Sequence, residues 1–451
     1  MARSLAIAGL LAATLAAQPA PSGAVLYQNA RLIPGDGSPA IERSALLVEG
    51  GRIARVGSAG SVTAPAGAAR VDLTGKTIMP ALIGTHVHPG FQRGLSYVAA
   101  NFTRDTVIED LNRALFFGVA AVLSHGIEAG DVLYQVRADQ QAGRLGGARL
   151  LVAGRGIGAP NAGPGGATYA GIAYEITTEP EARRSVEELA ARQVDIVKIW
   201  VDDRNGRAPK LPPALYRAVI DEAHQRGLRV SAHVFYHDDA VDLVAAGVDA
   251  FAHLVRDKEM DDALVAAIVK KNVYVMGNLT TPLRPTYPSL PPWLTAGDPM
   301  MTLLTASVPA AVVARMQAYY AKRDPKSVEG ARQRYGILQR SLARLSKAGA
   351  KVVLGADTGL EDHFFGFAEQ LELQAMVDAG LTPAQGIVAA TSRAAEFLHL
   401  ADAGALQPGK RADFLVLDAN PLDDITNTRR ISRLVINGAT IDRASLVAQY
   451  R

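Results

Sequence analysis

The sequence predicts an α/β protein: a (β/α)8 barrel of the TIM type with a small composite β-sandwich domain formed by both ends of the chain. Three observations predict it. Short alternating strands broken by Gly, Asp and Pro occupy residues 24–75, and the same habit returns near the C-terminus. Between them, from residue 76 to 400, short apolar runs alternate with helical stretches, the pattern of parallel β/α units. The apolar runs number eight, one for each strand of such a barrel.

Taken in order, residues 1–20 read as a secretory signal peptide. Arg3 supplies the basic start, Leu5 to Ala17 the apolar run, and small residues up to Ala20 a cleavage zone. That apolar run is shorter than the ~20 residues of a membrane-spanning helix, so the expected location is periplasmic or secreted, with no membrane partner after signal removal. "AVLYQNARLIPGDG", "SALLVEGGRIARVG" and "RVDLTGKTI" form the N-terminal part of the sandwich, 24–77. The barrel spans 78–400, and residues 401–451, with "LQPGKRADFLVLDANPLDDI", complete the sandwich.

Within the barrel the strands are placed at Ile78–Gly84, Val119–Ser124, Leu150–Gly154, Val194–Ile199, Arg229–Ala232, Val248–Ala252, Val273–Gly277 and Lys351–Ala356. Helices are placed at Pro213–Arg226, Asp238–Ala246 and Asp261–Lys271, each followed by Gly or Asn. An insertion, 279–348, separates the last two strands. Loops of that length are seldom idle, and its expected role is a lid or pocket wall, against a surface decoration or a dimer contact. Its Tyr287 and Trp293, with Trp200, are expected to suit an apolar or aromatic substrate moiety.

Composition narrows the partners. The chain has 451 residues, 49% hydrophobic and 20% charged, with a net charge of +3. Near balance at this size gives no reason to invoke nucleic acid. A small-molecule substrate is expected, and homo-oligomerisation is left open. The chain has no cysteine, so any metal must be held by nitrogen and oxygen ligands.

Polar residues gather where the strands end. "LIGTHVHPG" carries His86 and His88, which share a face if the strand continues through them. "DIVKIWVDD" holds Lys198 between Val197 and Ile199, "LRVSAHVFY" ends at His233, "VDAFAHL" at His253, and "KVVLGADTG" at Asp357. Catalytic groups of such barrels sit at the C-terminal ends of strands. Six metal-ligating or titratable side chains from five strands at one rim point to a metal centre.

These motifs resemble the metal-dependent amidohydrolase superfamily, in its imidazolonepropionase-like and prolidase-like branch. "THVH", "VKI", the two "AH" pairs, "GADTG" and the C-terminal segment carry the resemblance. It implies two divalent metal ions, zinc by default, with manganese, cobalt and iron as alternatives. His86, His88 and Asp357 would bind one, His233 and His253 the other, and an N-carboxylated Lys198 would bridge them. A one-metal site without the carbamate is the rival arrangement. The implied reaction is hydrolysis of a C–N bond by metal-activated water, with Asp357 as catalytic base and then acid. Expected substrates are a dipeptide, an N-acyl amino acid or an aryl amide. The alternatives are a cyclic amide or lactone and, since "SAHVFY" lacks a glutamate, less readily deamination. A non-catalytic scaffold is disfavoured because no ligand is missing.

Further candidates follow the same rim. His125 in "VLSHG" either steadies an oxyanion or is a satisfied structural histidine. Tyr236, His237, His363 and Arg256 are candidate substrate-binding residues. Arg155, Arg204 and Arg207 join Arg256 as clamps for a substrate carboxylate, or are solvated loop charges.

Overall fold

The two ends of the chain meet in one sheet. Arg31–Leu32 and Thr77–Pro80 from the N-terminal side pair with Phe414–Leu417, which pairs onward with Ile431–Ile436 and Ala439–Ile441. A second sheet holds Val25–Gln28, Ser44–Glu49, Arg52–Ser58 and Ala69–Asp72. Tyr27, Leu46, Val48, Ile53 and Ile78 bury their side chains with Phe414, Val416 and Val435. This is a computed structural model describing residues 23–128, 130–164 and 171–450; the signal segment, 1–20, lies outside the described residues.

Through the central region parallel strands alternate with helices, giving a mixed α/β fold. The strands are β1 (Leu82–Val87), β2 (Val119–Ser124), β3 (Arg149–Val152), β4 (Val197–Val201), β5 (Val230–Val234), β6 (Ala250–Phe251), β7 (Tyr274–Met276) and β8 (Lys351–Val353). β3, β2 and β1 pair in parallel as one sheet, and β4 to β8 pair consecutively in parallel in another. Backbone bonds cross between the two. The Thr85 amide donates to Leu354 O at 2.8 Å, the His88 amide to Thr358 O at 2.7 Å, and the Asp195 amide to Val152 O at 2.8 Å.

The expected strand Ile78–Gly84 is two strands. Residues 77–80 belong to the sandwich, and the chain crosses at Ala81 into β1, so the central unit starts later than Ile78. Both segments are fully buried, so a continuous apolar run carries no mark of the change of sheet. Helices Pro213–Gln225, His237–Ala246 and Asp262–Lys270 lie within a residue of their expected bounds. Gly227, Gly247 and Asn272 take the positive φ that ends each of them.

The insertion forms helices Thr280–Leu283, Pro299–Ser307, Ala310–Ala321 and Glu329–Lys347. The last is the crossover into β8, burying Leu338, Leu342 and Leu345. Trp293 is buried against Tyr320 and Phe367, with ring centroids 5.6 and 5.3 Å away.

Helix Phe367–Asp378, which follows β8, anchors the strand ends through two buried carboxyls. Glu372 accepts from the Leu279 and Thr280 amides and from Thr280 Oγ1 at 2.8–3.0 Å. Glu369 accepts from Thr358 Oγ1 and the Gly366 amide, both at 2.7 Å. Burial raises both carboxyls to about 7. A Cβ at Gly277 would lie 2.8 Å from Glu372 Oε1, which is why the β7 exit has no side chain there. Glu372→Ala leaves the Leu279 and Thr280 amides unpaired and the Thr280 hydroxyl with only the Ala356 carbonyl. It is expected to cost roughly 2–4 kcal/mol, measured by urea unfolding.

Candidate metal centre

The parallel strands deliver their polar ends to one place. His86 lies on β1 and His88 one residue beyond it, so alternation turns both rings to the same side. Lys198 is on β4, His233 on β5, His253 two residues past β6 and Asp357 four past β8. All six line one cavity of about 240 Å³. His86 Nε2 and His88 Nε2 lie 3.3 and 3.0 Å from the same oxygen, Asp357 Oδ1. Donor atoms of these three residues fall within 4.8 Å of one another. The His86 and His253 rings are 5.2 Å apart, and those of His233 and His253 4.5 Å. Asp357 holds φ +54, uncommon for a non-glycine residue. The Thr358 amide, donating to His86 O at 3.2 Å, and the Thr358–Glu369 bond hold that turn.

Electrostatics favour unprotonated nitrogen. Burial pushes His86 and His253 well below the ordinary imidazole range and His233 down to about 3. Burial also lowers the Lys198 amine to about 7, reinforced by the Arg204 and Arg256 charges. No carboxylate among the described residues lies within 4 Å of that amine. His88 goes the other way: burial is outweighed by its bond to Asp357 and by the facing Glu128 carboxylate. Asp357 is held far below the carboxylate range, His86 and His88 overriding the upward push of burial.

A second layer fixes the rings. His86 Nδ1 lies 3.2 Å from the Ala252 carbonyl, which leaves Nε2 facing Asp357. Asn278 Nδ2 lies 3.0 Å from His86 Nδ1 and 2.9 Å from His253 Nδ1, and bonds the Ala252 carbonyl. Asp202 Oδ2 is 3.0 Å from His233 Nε2, and Glu128 Oε1 is 3.7 Å from His88 Nδ1. His88 Nδ1 and Glu128 Oε1 are both buried without a hydrogen-bond partner. Imidazole and carboxylate donors, mostly uncharged on the imidazole side and each steered from behind, fit divalent cations.

Several expected roles do not match this geometry. His125 does line the cavity, but it is buried and stacked on His86 at 4.1 Å, with Nδ1 on Thr85 O and Nε2 on Ser231 Oγ. With one nitrogen donating to a carbonyl and the other accepting from the hydroxyl, no N–H remains for an oxyanion. Tyr236, His237 and His363 do not line the cavity. Tyr236 donates to Asp203 at 2.8 Å, with Lys210 Nζ 4.0 Å above its ring. His237 turns to Asp238 and Asp261 at 3.2 and 3.3 Å. His363 is buried 3.5 Å from Thr281 Oγ1. Arg256 and Arg204 do line the cavity. Arg155 instead donates to the carbonyls of Gly171, Ile172 and Ala173, and Arg207 is exposed. No described residue of the insertion lines the cavity, so it is neither lid nor pocket wall there, and Tyr287 and Trp293 pack into the main hydrophobic core; Trp200 does form the wall.

Asp202, Asn278 and Glu128 escaped the sequence reading. Asp202 follows Lys198 and Trp200 at period two, and Asn278 ends β7 as the other ligands end theirs. Both signals were available. Glu128 carries none.

Parallel strands ending in a buried ligand cluster define a class of metal-dependent enzyme. The chain belongs to the amidohydrolase family, whose model matches residues 77–441. It is similar to ochratoxinase of Aspergillus niger, 25% identical over 441 residues, covering 87% of this chain and 81% of that one. The crystal structure of A. niger ochratoxinase superposes with a TM-score of 0.70 at 20% identity, covering 93% and 95%. A Xaa-Pro dipeptidase structure gives 0.71 at 19% identity, covering 93% and 100%. Imidazolonepropionase of Deinococcus deserti is 43% identical over 86 residues, 19% of this chain and 21% of that protein. A Mycobacterium bovis protein, 36% identical over 109 residues, is matched over 28% of its length and 23% of this chain.

Removing either carboxylate behind the ligands, by Glu128→Gln or Asp202→Asn, is expected to weaken metal retention by roughly 10- to 100-fold. Chelator competition followed by metal analysis measures it.

Proposed function

We propose that this protein is a metal-dependent amidohydrolase that cleaves a C–N bond of amide or peptide type in a small substrate. The observation that carries the reading is the convergence of His86, His88, Lys198, His233, His253 and Asp357 on one cavity. The reading takes β1 to β8 as one (β/α)8 barrel, which the backbone bonds from β1 to the β8 exit and from β3 to the β4 entry support. The relatives named Xaa-Pro dipeptidase and ochratoxinase support the amide-type bond.

His86, His88 and Asp357 would hold one divalent cation and His233 and His253 a second, with zinc the best match to imidazole donors. Such ions, when bound, lower the pKa of water and polarise a carbonyl. Lys198 cannot ligate as an ammonium. Its amine, lowered to about 7 by burial, is substantially neutral at physiological pH and free to add carbon dioxide. The product is a carbamate with two ligating oxygens, and one proton is released. Asp357, ionised throughout the neutral range, faces the cavity from β8. Its carboxylate takes the proton of the attacking water and returns it to the leaving nitrogen. Trp200 and Ile127 supply apolar wall that restricts water.

Hydrolysis of a panel of dipeptides, N-acyl amino acids and aryl amides by metal-loaded protein tests the reading; no turnover of any member contradicts it. Asp357→Asn is expected to lower kcat by roughly 10²- to 10⁴-fold. Lys198→Ala is expected to lose the second metal and most activity, with partial rescue by short carboxylic acids. In 13C-bicarbonate, a carbamate resonance is expected to grow as pH rises through about 7 and to be absent from Lys198→Ala. Full activity and metal content in that variant contradict the bridge.

A further inference from the structure

The cavity lined by Asp357 also carries two guanidinium groups with too little negative charge to match them. Arg204, just past β4, donates its amide to Asp202 Oδ1 at 2.9 Å. Its Nη1 lies 3.3 Å from Asp202 Oδ2, and Nη2 donates to Gly163 O at 2.5 Å. Arg256, just past β6, lies over the Phe235 ring, with Nη2 3.4 Å from Val234 O and 3.2 Å from His233 Nε2. No carboxylate among the described residues is within 4 Å of Arg256. Asp202 is the nearest shared counter-charge, and it is already committed to His233 and Arg204. Asp357 is committed to His86 and His88. The Nε atoms of Arg204 and Arg256 are both buried with no hydrogen-bond partner. A half-buried cation with an orphaned buried donor is costly unless an anion arrives.

The space beside them has a fixed apolar wall. Trp200 stands between Lys198 and Asp202 on β4, and its ring is seated on Gly156, where a Cβ would lie 2.2 Å from the indole. Ile127 and Leu360 complete that wall. Tyr236 and His237, which follow His233 in sequence, are tied to Asp203, Asp238 and Asp261 and leave the anion to the arginines.

We propose that Arg204 and Arg256 form a binding site for a substrate carboxylate, so that the preferred substrates are acidic N-acyl compounds with an apolar or aromatic group against Trp200. This rests on the hydrolase reading and names the substrate class of the same cavity. The arginines are specificity-determining groups: planar donors suited to a carboxylate.

The test uses metal-loaded full-length protein and matched pairs. N-acetyl-phenylalanine is compared with N-acetyl-phenylalaninamide for turnover, and 3-phenylpropanoate with 3-phenylpropanamide for calorimetric binding. The acid is expected to be favoured by roughly 10- to 100-fold in kcat/KM. Arg204→Met and Arg256→Met are expected to abolish that preference mainly through KM, Arg256→Lys to keep part of it, and metal content is measured in each. Equal handling of acid and amide overturns the proposal. So does carboxylate binding that survives both Met substitutions, since that is ligation by the metals alone. Turnover without charge preference leaves the hydrolase reading standing and removes the subsite. Arginine-dependent binding of 3-phenylpropanoate without turnover of any compound does the reverse.

Discussion

A buried imidazole presents one nitrogen to a site only if the other is held, and the cavity depends on that constraint. His86 is held by the Ala252 carbonyl and His233 by Asp202, while Asn278 Nδ2 packs against the Nδ1 atoms of His86 and His253. His88 faces Glu128 at the longer distance of 3.7 Å. Each holding group comes from a strand end other than that of the ring it steers, so the ligand geometry is a property of the whole fold. Glu369 and Glu372 extend the chain of support outward by bonding the segments after β8 and β7. Glu372 in particular fixes the amides just past Asn278.

Charge is distributed with the same economy. The cavity combines five buried histidines and a lysine amine lowered by burial with one carboxylate, Asp357, that faces inward. Glu128 and Asp202 lie behind the histidines and offset the cations from the rear. Arg204 and Arg256 line the same cavity, Arg256 within 3.2 Å of His233 Nε2, so negative charge drawn into it meets both the ligand cluster and the arginines. A substrate with a carboxylate and an amide satisfies both at once.

The fold was largely legible in the sequence because parallel strands buried on both faces read as apolar runs, and β2 was placed with its observed bounds. The same property hid the change of sheet at Ala81, since Thr77–Pro80 and β1 are equally buried. The six putting their donors into the cavity were legible from their position at strand ends. Tyr236, His237 and His363 were not, because sequence proximity to a ligand says nothing of which way a loop turns its side chain. His125 failed on hydrogen bonding: Ser231, its partner, lies 106 positions away. The insertion was misjudged because length alone does not tell a lid from helices packed into the main core.

The central claim is that six side chains from five strands cage a pair of cations. Anomalous diffraction from zinc-loaded crystals tests it most directly. The account predicts two peaks roughly 3.5–4 Å apart, one among His86, His88 and Asp357 and one beside His233 and His253, with density for a carbamate on Lys198 between them. Zinc bound elsewhere, with these six side chains unliganded, would contradict it.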